Sequence, residues 1–158
     1  MAGSIKKIGL GLAFFFPALP ALAEWTVQSE PSGTGGYSCF LQTEQQAIFD
    51  GYHNSLVHVK VTTTEVLVKA DSPIDVEFRD IGIKVDNNAL IPMDGLADRF
   101  TSRYASSYSG IIEQFIKGRQ LQVQLRFWPE WPTTGPHSMA FSLSGFTKAY
   151  NAMKNCHQ

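Results

Sequence analysis

The chain has no dense run of lysine and arginine, no C-x-x-C pair, no H-E-x-x-H, no G-x-S-x-G and no internal repeat. Each absence removes a class of function. Without basic clusters, and with thirteen basic residues against fourteen acidic ones, nucleic acid and anionic lipid surfaces are poor partners. Without paired-thiol or zincin spacings, neither a redox centre nor a catalytic zinc has a ligand set. The four histidines, His53, His58, His137 and His157, are scattered and read as surface residues. Ser109 and Ser144 each precede a glycine but lack the frame of a serine nucleophile, so both read as helix caps. No cofactor or metal is implied. The Gly33 to Gly36 stretch, GTGG, has no following lysine and reads as a loop rather than a phosphate cradle.

Long apolar runs are also lacking, except at the start. Lys6 and Lys7, the run Ile8 to Leu19, and Ala21-Leu22-Ala23 have the three-part order of a cleavable signal peptide over residues 1–23. The run is too short and too interrupted by Gly and Pro to span a bilayer well. Loss of Lys6 and Lys7 leaves eleven basic against fourteen acidic residues, a net charge of −3. No transmembrane segment is expected in the mature chain, and residues 24–158 read as a single domain. Cysteine is scarce as well, at two residues. In an exported protein, Cys39 and Cys156 read as a disulfide joining an early strand to the last helix.

What is present is alternation. Val57, Val59 and Val61 alternate with His58, Lys60 and Thr62, and Ile81, Ile83 and Val85 alternate with Gly82, Lys84 and Asp86. That period of two predicts strands with one buried face. Further strands are predicted at Tyr37 to Thr43, at Val66 and Val68, at Val76 and Phe78, over Gln120 to Trp128 and over Met139 to Leu143. Asp86-Asn87-Asn88 predicts a hairpin turn back into Ala89 to Pro92. Asp94 to Ser107 stays open between loop, helix and edge strand. Turns every eight to twelve residues suit an antiparallel β-sandwich. Two helices accompany it. Ser109 to Lys117 carries Ile111, Ile112, Phe115 and Ile116 on one face and ends at Gly118. The last helix carries Phe146, Ala149, Tyr150, Met153 and Cys156 as an apolar stripe.

Binding candidates centre on Trp128, Glu130 and Trp131 in a loop stiffened by Pro129, Pro132 and Pro136. Aromatic rings in a rigid loop have little entropy to lose on binding. Tyr104 and Tyr108 are candidates to extend that surface. The competing expectation is that one or both tryptophan rings cap the open end of the core.

The C-terminal third is similar to the invasion-associated locus B family of exported proteobacterial proteins. The resemblance lies in Ile112 to Val123, IEQFIKGRQLQV, and in Phe141 to Tyr150, FSLSGFTKAY, with Trp25 and Cys39 matching the start. It implies an immunoglobulin-like antiparallel β-sandwich, and a location in the periplasm or outside a Gram-negative cell. It brings no catalytic residues. The expected function is a non-enzymatic binding or accessory protein contacting another envelope or host protein. The alternatives are a glycan or peptidoglycan binder, an inhibitor of an envelope hydrolase, and a hydrolase with an unrecognised site.

Overall fold

A computed structural model describes residues 25–33, 35–128 and 135–156. Residues 1–23, read above as a signal peptide, lie outside the described residues. Eleven strands and two helices follow in chain order: β1 (Trp25–Pro31), β2 (Tyr37–Thr43), β3 (Gln46–Phe49), β4 (Asn54–Val61), β5 (Val66–Ala70), β6 (Gly82–Val85), β7 (Ile91–Pro92), β8 (Gly95–Asp98), β9 (Thr101–Tyr104), α1 (Tyr108–Lys117), β10 (Gln120–Leu125), β11 (His137–Ser142) and α2 (Phe146–Lys154). One antiparallel sheet has the order β1-β2-β4-β5-β9-β8, with β3 paired to β4, and the second has β11-β10-β6-β7. Together they form the expected mainly-β sandwich with two packed helices, the last at the C-terminus. Among the described residues no helix is long and apolar enough to cross a membrane.

The alternating valines carry the core. Val57, Val59 and Val61 of β4 and Val66 and Val68 of β5 are fully buried, and face Ile83, Val85, Leu121, Val123 and Leu125 of the other sheet. Fully burying such a side chain is worth about 1.5–3 kcal/mol. The helices close one end. Phe115 of α1, Phe146 of α2 and Trp25 of β1 form a ring cluster, with centroids 5.0–6.1 Å apart. The Trp25 indole N–H is not left unpaired in this setting: it donates to the Ser142 carbonyl at 2.8 Å. The α2 stripe packs as its spacing predicts, with Phe146 and Met153 buried and Ala149 and Tyr150 against the core. Cys156 at its end is bonded to Cys39 of β2, with Cα atoms 6.2 Å apart.

Several expectations are corrected. Val76 and Phe78 are not in a strand. Only Ile74 makes an isolated bridge, to Phe127, and the chain from Asp71 to Ile81 crosses between sheets as irregular backbone. Asp94 to Ser107, left open, holds the β8–β9 hairpin. Strand β3 gives no local signal in the sequence, because Gln46–Phe49 is only half-buried and has no clean alternation of residue type. Ser109 does not cap α1, which starts after Ser107 with no side-chain cap, and α2 starts after Gly145 rather than Ser144. Gly145 has φ 79°, which glycine adopts without strain. Gly118 ends α1 in an extended conformation, not a left-handed one. Its lack of a Cβ matters for space, since a Cβ there would lie 2.3 Å from Val85 Cγ1.

Candidate functional site

At the end of the sandwich away from the helices, one short segment serves as a hub. Segment 70–75 leaves β5 and touches three neighbouring turns. The Ala70 N–H donates to the Phe100 carbonyl at 2.8 Å and the Ile74 N–H to Arg99 at 2.9 Å, which ties in the β8–β9 turn. The Asp71 N–H donates to Leu56 at 3.1 Å, tying in β4. The Asp75 N–H donates to Arg126 at 2.8 Å, and the Trp128 N–H donates back to Pro73 at 2.9 Å. Each bond satisfies a backbone group that would otherwise need water.

A buried polar node fixes the third turn. Asp50 and Ser72 are 6 % and 2 % exposed. The Ser72 hydroxyl donates to Asp50 Oδ2 at 2.6 Å, and the Ser72 N–H donates to Ser55 Oγ at 3.1 Å. Asp50 Oδ1 accepts the backbone N–H groups of Tyr52 and His53, each at 2.8 Å. This is the turn habit of aspartate, whose carboxylate binds the backbone two residues on. The His53 ring lies alongside, with Nδ1 3.4 Å from Asp50 Oδ2 and Nε2 3.4 Å from Ser72 Oγ. Burial favours the neutral acid at Asp50. The hydrogen bonds from His53, Ser72 and Tyr52, with the nearby imidazole, outweigh it and hold the carboxyl below its ordinary range.

Serine, histidine and aspartate therefore meet, from turns about twenty residues apart. In a serine triad the imidazole stands between hydroxyl and carboxylate and takes the serine proton. Here the hydroxyl hydrogen-bonds to Asp50 directly, and the serine is buried. The arrangement is that of a clasp. The one sequence signal for it is the turn at Asp71-Ser72-Pro73; nothing in the spacing joins that turn to Asp50.

On the turns so fastened, large apolar side chains face solvent: Phe49 at 57 %, Tyr52 at 62 %, Phe100 at 37 % and Trp128 at 60 % exposure. Trp128 thus does not cap the core. Its neighbour Phe127 does so, at 2 % exposure, with its ring centroid 5.5 Å from that of His137. Glu130 and Trp131 lie outside the described residues. Tyr104 does not extend this surface: it is 1 % exposed, inside the core. Burial raises its hydroxyl pKa to about 12. Tyr108 belongs to the other end. It is half-buried, donates its hydroxyl to the Thr62 carbonyl at 2.6 Å and lies 3.4 Å from the Tyr150 hydroxyl. Thr62 precedes β5 and Pro73 follows it, so Tyr108 and Trp128 are anchored beyond opposite ends of that strand. Among the described residues no cluster of three His, Cys, Asp or Glu side chains is placed to hold a metal ion.

No protein-family model matches the chain, and no curated protein or solved structure matches it.

Proposed function

We propose that this is an exported, non-enzymatic binding or accessory protein of the invasion-associated locus B type, periplasmic or secreted, that contacts another envelope or host protein through its loop end. The observation that carries the reading is the set of exposed side chains Phe49, Tyr52, Phe100 and Trp128 on turns tied to one segment. Aromatic residues dominate binding energy where they are held rigidly before the partner arrives. The disulfide is consistent with an oxidising compartment. The direction of the Ser72 hydrogen bond supports a non-enzymatic role.

The test is co-purification from cross-linked envelopes, comparing the natural protein with a Tyr52→Ala/Trp128→Ala variant of the same thermal stability. Loss of a defined partner supports the reading, and equal recovery removes the loop end from it. A second reading, glycan or peptidoglycan binding, is favoured by exposed Trp128 and Tyr52, side chains on which sugar rings stack. Titration with muropeptides separates the two: saturable binding abolished by the same variant would replace the protein partner with a glycan.

A further inference from the structure

The crossover from Asp71 to Ile81 does more than connect sheets. Its apolar residues Val76, Phe78 and Ile81 meet Pro92 and Met93, and the five line an open groove of about 440 Å³ with Arg79. That size lies in the range of small-ligand clefts, roughly 300–1,000 Å³. The residues that looked like a buried strand are instead held as irregular backbone, and Val76 stays 49 % exposed.

The groove is built rather than incidental. Beside it, β6 and β7 are held in close approach: a Cβ on Gly82, between Ile81 of the lining and the rest of β6, would lie 2.3 Å from the Ile91 carbonyl oxygen, so only glycine permits this pairing next to Pro92. The groove wall is fixed by stacking. The Arg126 guanidinium lies 4.0 Å from the Phe78 ring centroid, and Asp80 holds that guanidinium with bonds of 2.8 Å and 2.6 Å. One face of Phe78 is thus covered by a clamped cation, and the ring is preorganised for a ligand. Asp80 is committed to Arg126. Arg79, exposed at the mouth, has no ion-pair partner among the described residues.

An apolar groove beside one uncommitted guanidinium matches one ligand chemistry. We propose that it binds the end of a single-chain carboxylate amphiphile, of the medium-chain fatty-acid class. The alkyl chain lies on Val76, Phe78, Pro92 and Met93, and the carboxylate pairs with Arg79. Guanidinium suits a carboxylate because its two N–H groups can donate in parallel. The mildly acidic chain as a whole does not oppose this, since one head group needs only one cation. The site is separate from the loop-end aromatics and stands or falls without them.

The experiment is a calorimetric titration with decanoate below its micellar concentration, set beside decyltrimethylammonium, the cation of equal chain length. The natural protein is expected to bind decanoate saturably and to prefer it over the cation. Arg79→Glu is expected to weaken decanoate about tenfold, since an attraction becomes a repulsion, and to reverse the preference. Val76→Ser, which removes apolar contact without adding charge, is expected to weaken both. Both substituted side chains are exposed, so unchanged melting temperatures separate loss of binding from loss of fold. Absence of saturable decanoate binding overturns the proposal. So does a head-group preference that Arg79→Glu leaves unchanged, or binding indifferent to Val76→Ser.

Discussion

The two ends of this sandwich use aromatic residues in opposite ways. At the helix end, Trp25, Phe115 and Phe146 are 2 %, 1 % and 0 % exposed and pack edge to face. At the loop end, Phe49, Tyr52 and Trp128 are more than half exposed. The fastening differs in the same sense. Apolar contact and one covalent bond, Cys39–Cys156, hold the helix end. Hydrogen bonds to segment 70–75 hold the loop end. In the first case burial of the rings is itself the stabilising term. In the second, backbone and polar side chains hold the turns and leave the rings free. A residue type therefore does not reveal its use; what it packs against does.

The comparison can be broken most forcefully at the helix end. Phe146→Ala removes the ring at the centre of the cluster and is expected to cost about 3–5 kcal/mol in denaturant unfolding. A loss below 1 kcal/mol would mean that the cluster is not what holds that end. Replacing both cysteines by serine opens a link spanning 117 residues and is expected to cost about 2–5 kcal/mol. The same unfolding curves read it, and reduction of the natural protein should reproduce the shift.

At the loop end the expected effects are smaller and depend on pH. Asp50→Ala leaves Ser72 Oγ and two turn N–H groups without their acceptor, at about 1–3 kcal/mol. Three carboxyls, Asp50, Asp80 and Asp94, titrate below the ordinary aspartate value of 3.8. For Asp50, burial acts against the shift and the hydrogen bonds outweigh it. For Asp80 the chief cause is the hydrogen bond from Arg126, and for Asp94 the one from the Ser106 hydroxyl. A carboxyl whose folded pKa is depressed adds stability that is whole above its unfolded value and fades as pH falls through its folded value. Burial holds the His58 imidazole below its ordinary value of 6.5, so stability begins to decline as pH falls through that value, and the three carboxyls add a steeper drop below about pH 4. Asp50→Asn should make that drop shallower; a profile unchanged by it would place the acid sensitivity elsewhere. Trp128→Ala, by contrast, is expected to change stability by less than about 0.5 kcal/mol, as for an exposed position without buried contacts. A larger loss would show that the ring supports the fold.

How much of this could be read from residue order depended on whether the signal was local. The alternation at Val57 to Val61, the α2 stripe and the scarcity of cysteine are local signals, and each leads to the structure seen: a sheet, a packed helix and the bond from Cys39 to Cys156. The same period of two misplaced Val76 and Phe78. Their alternation with Glu77 and Arg79 mimics a strand, but no neighbouring strand offers them a ladder. Tyr104, expected to extend the Trp128 surface, lies inside β9 instead, its place set by pairing with Val66 across the sheet. The Asp50–Ser72 clasp was illegible because it joins two turns brought together only by the pairing of β4 with β5. Local chemistry marks the turn at Asp71-Ser72-Pro73 and cannot show that it meets Asp50.

The central claim is that the loop end displays its aromatics for a partner while the helix end uses its own to close the core. Its most direct test is site-specific photo-crosslinking in cells that make the protein. The photoreactive residue is placed at position 128, and at exposed position 147 on α2 for comparison. The expected result is a discrete adduct from position 128, absent from position 147 and lost with Tyr52→Ala. Adducts equal in amount and size from both positions, or none from position 128, would contradict it.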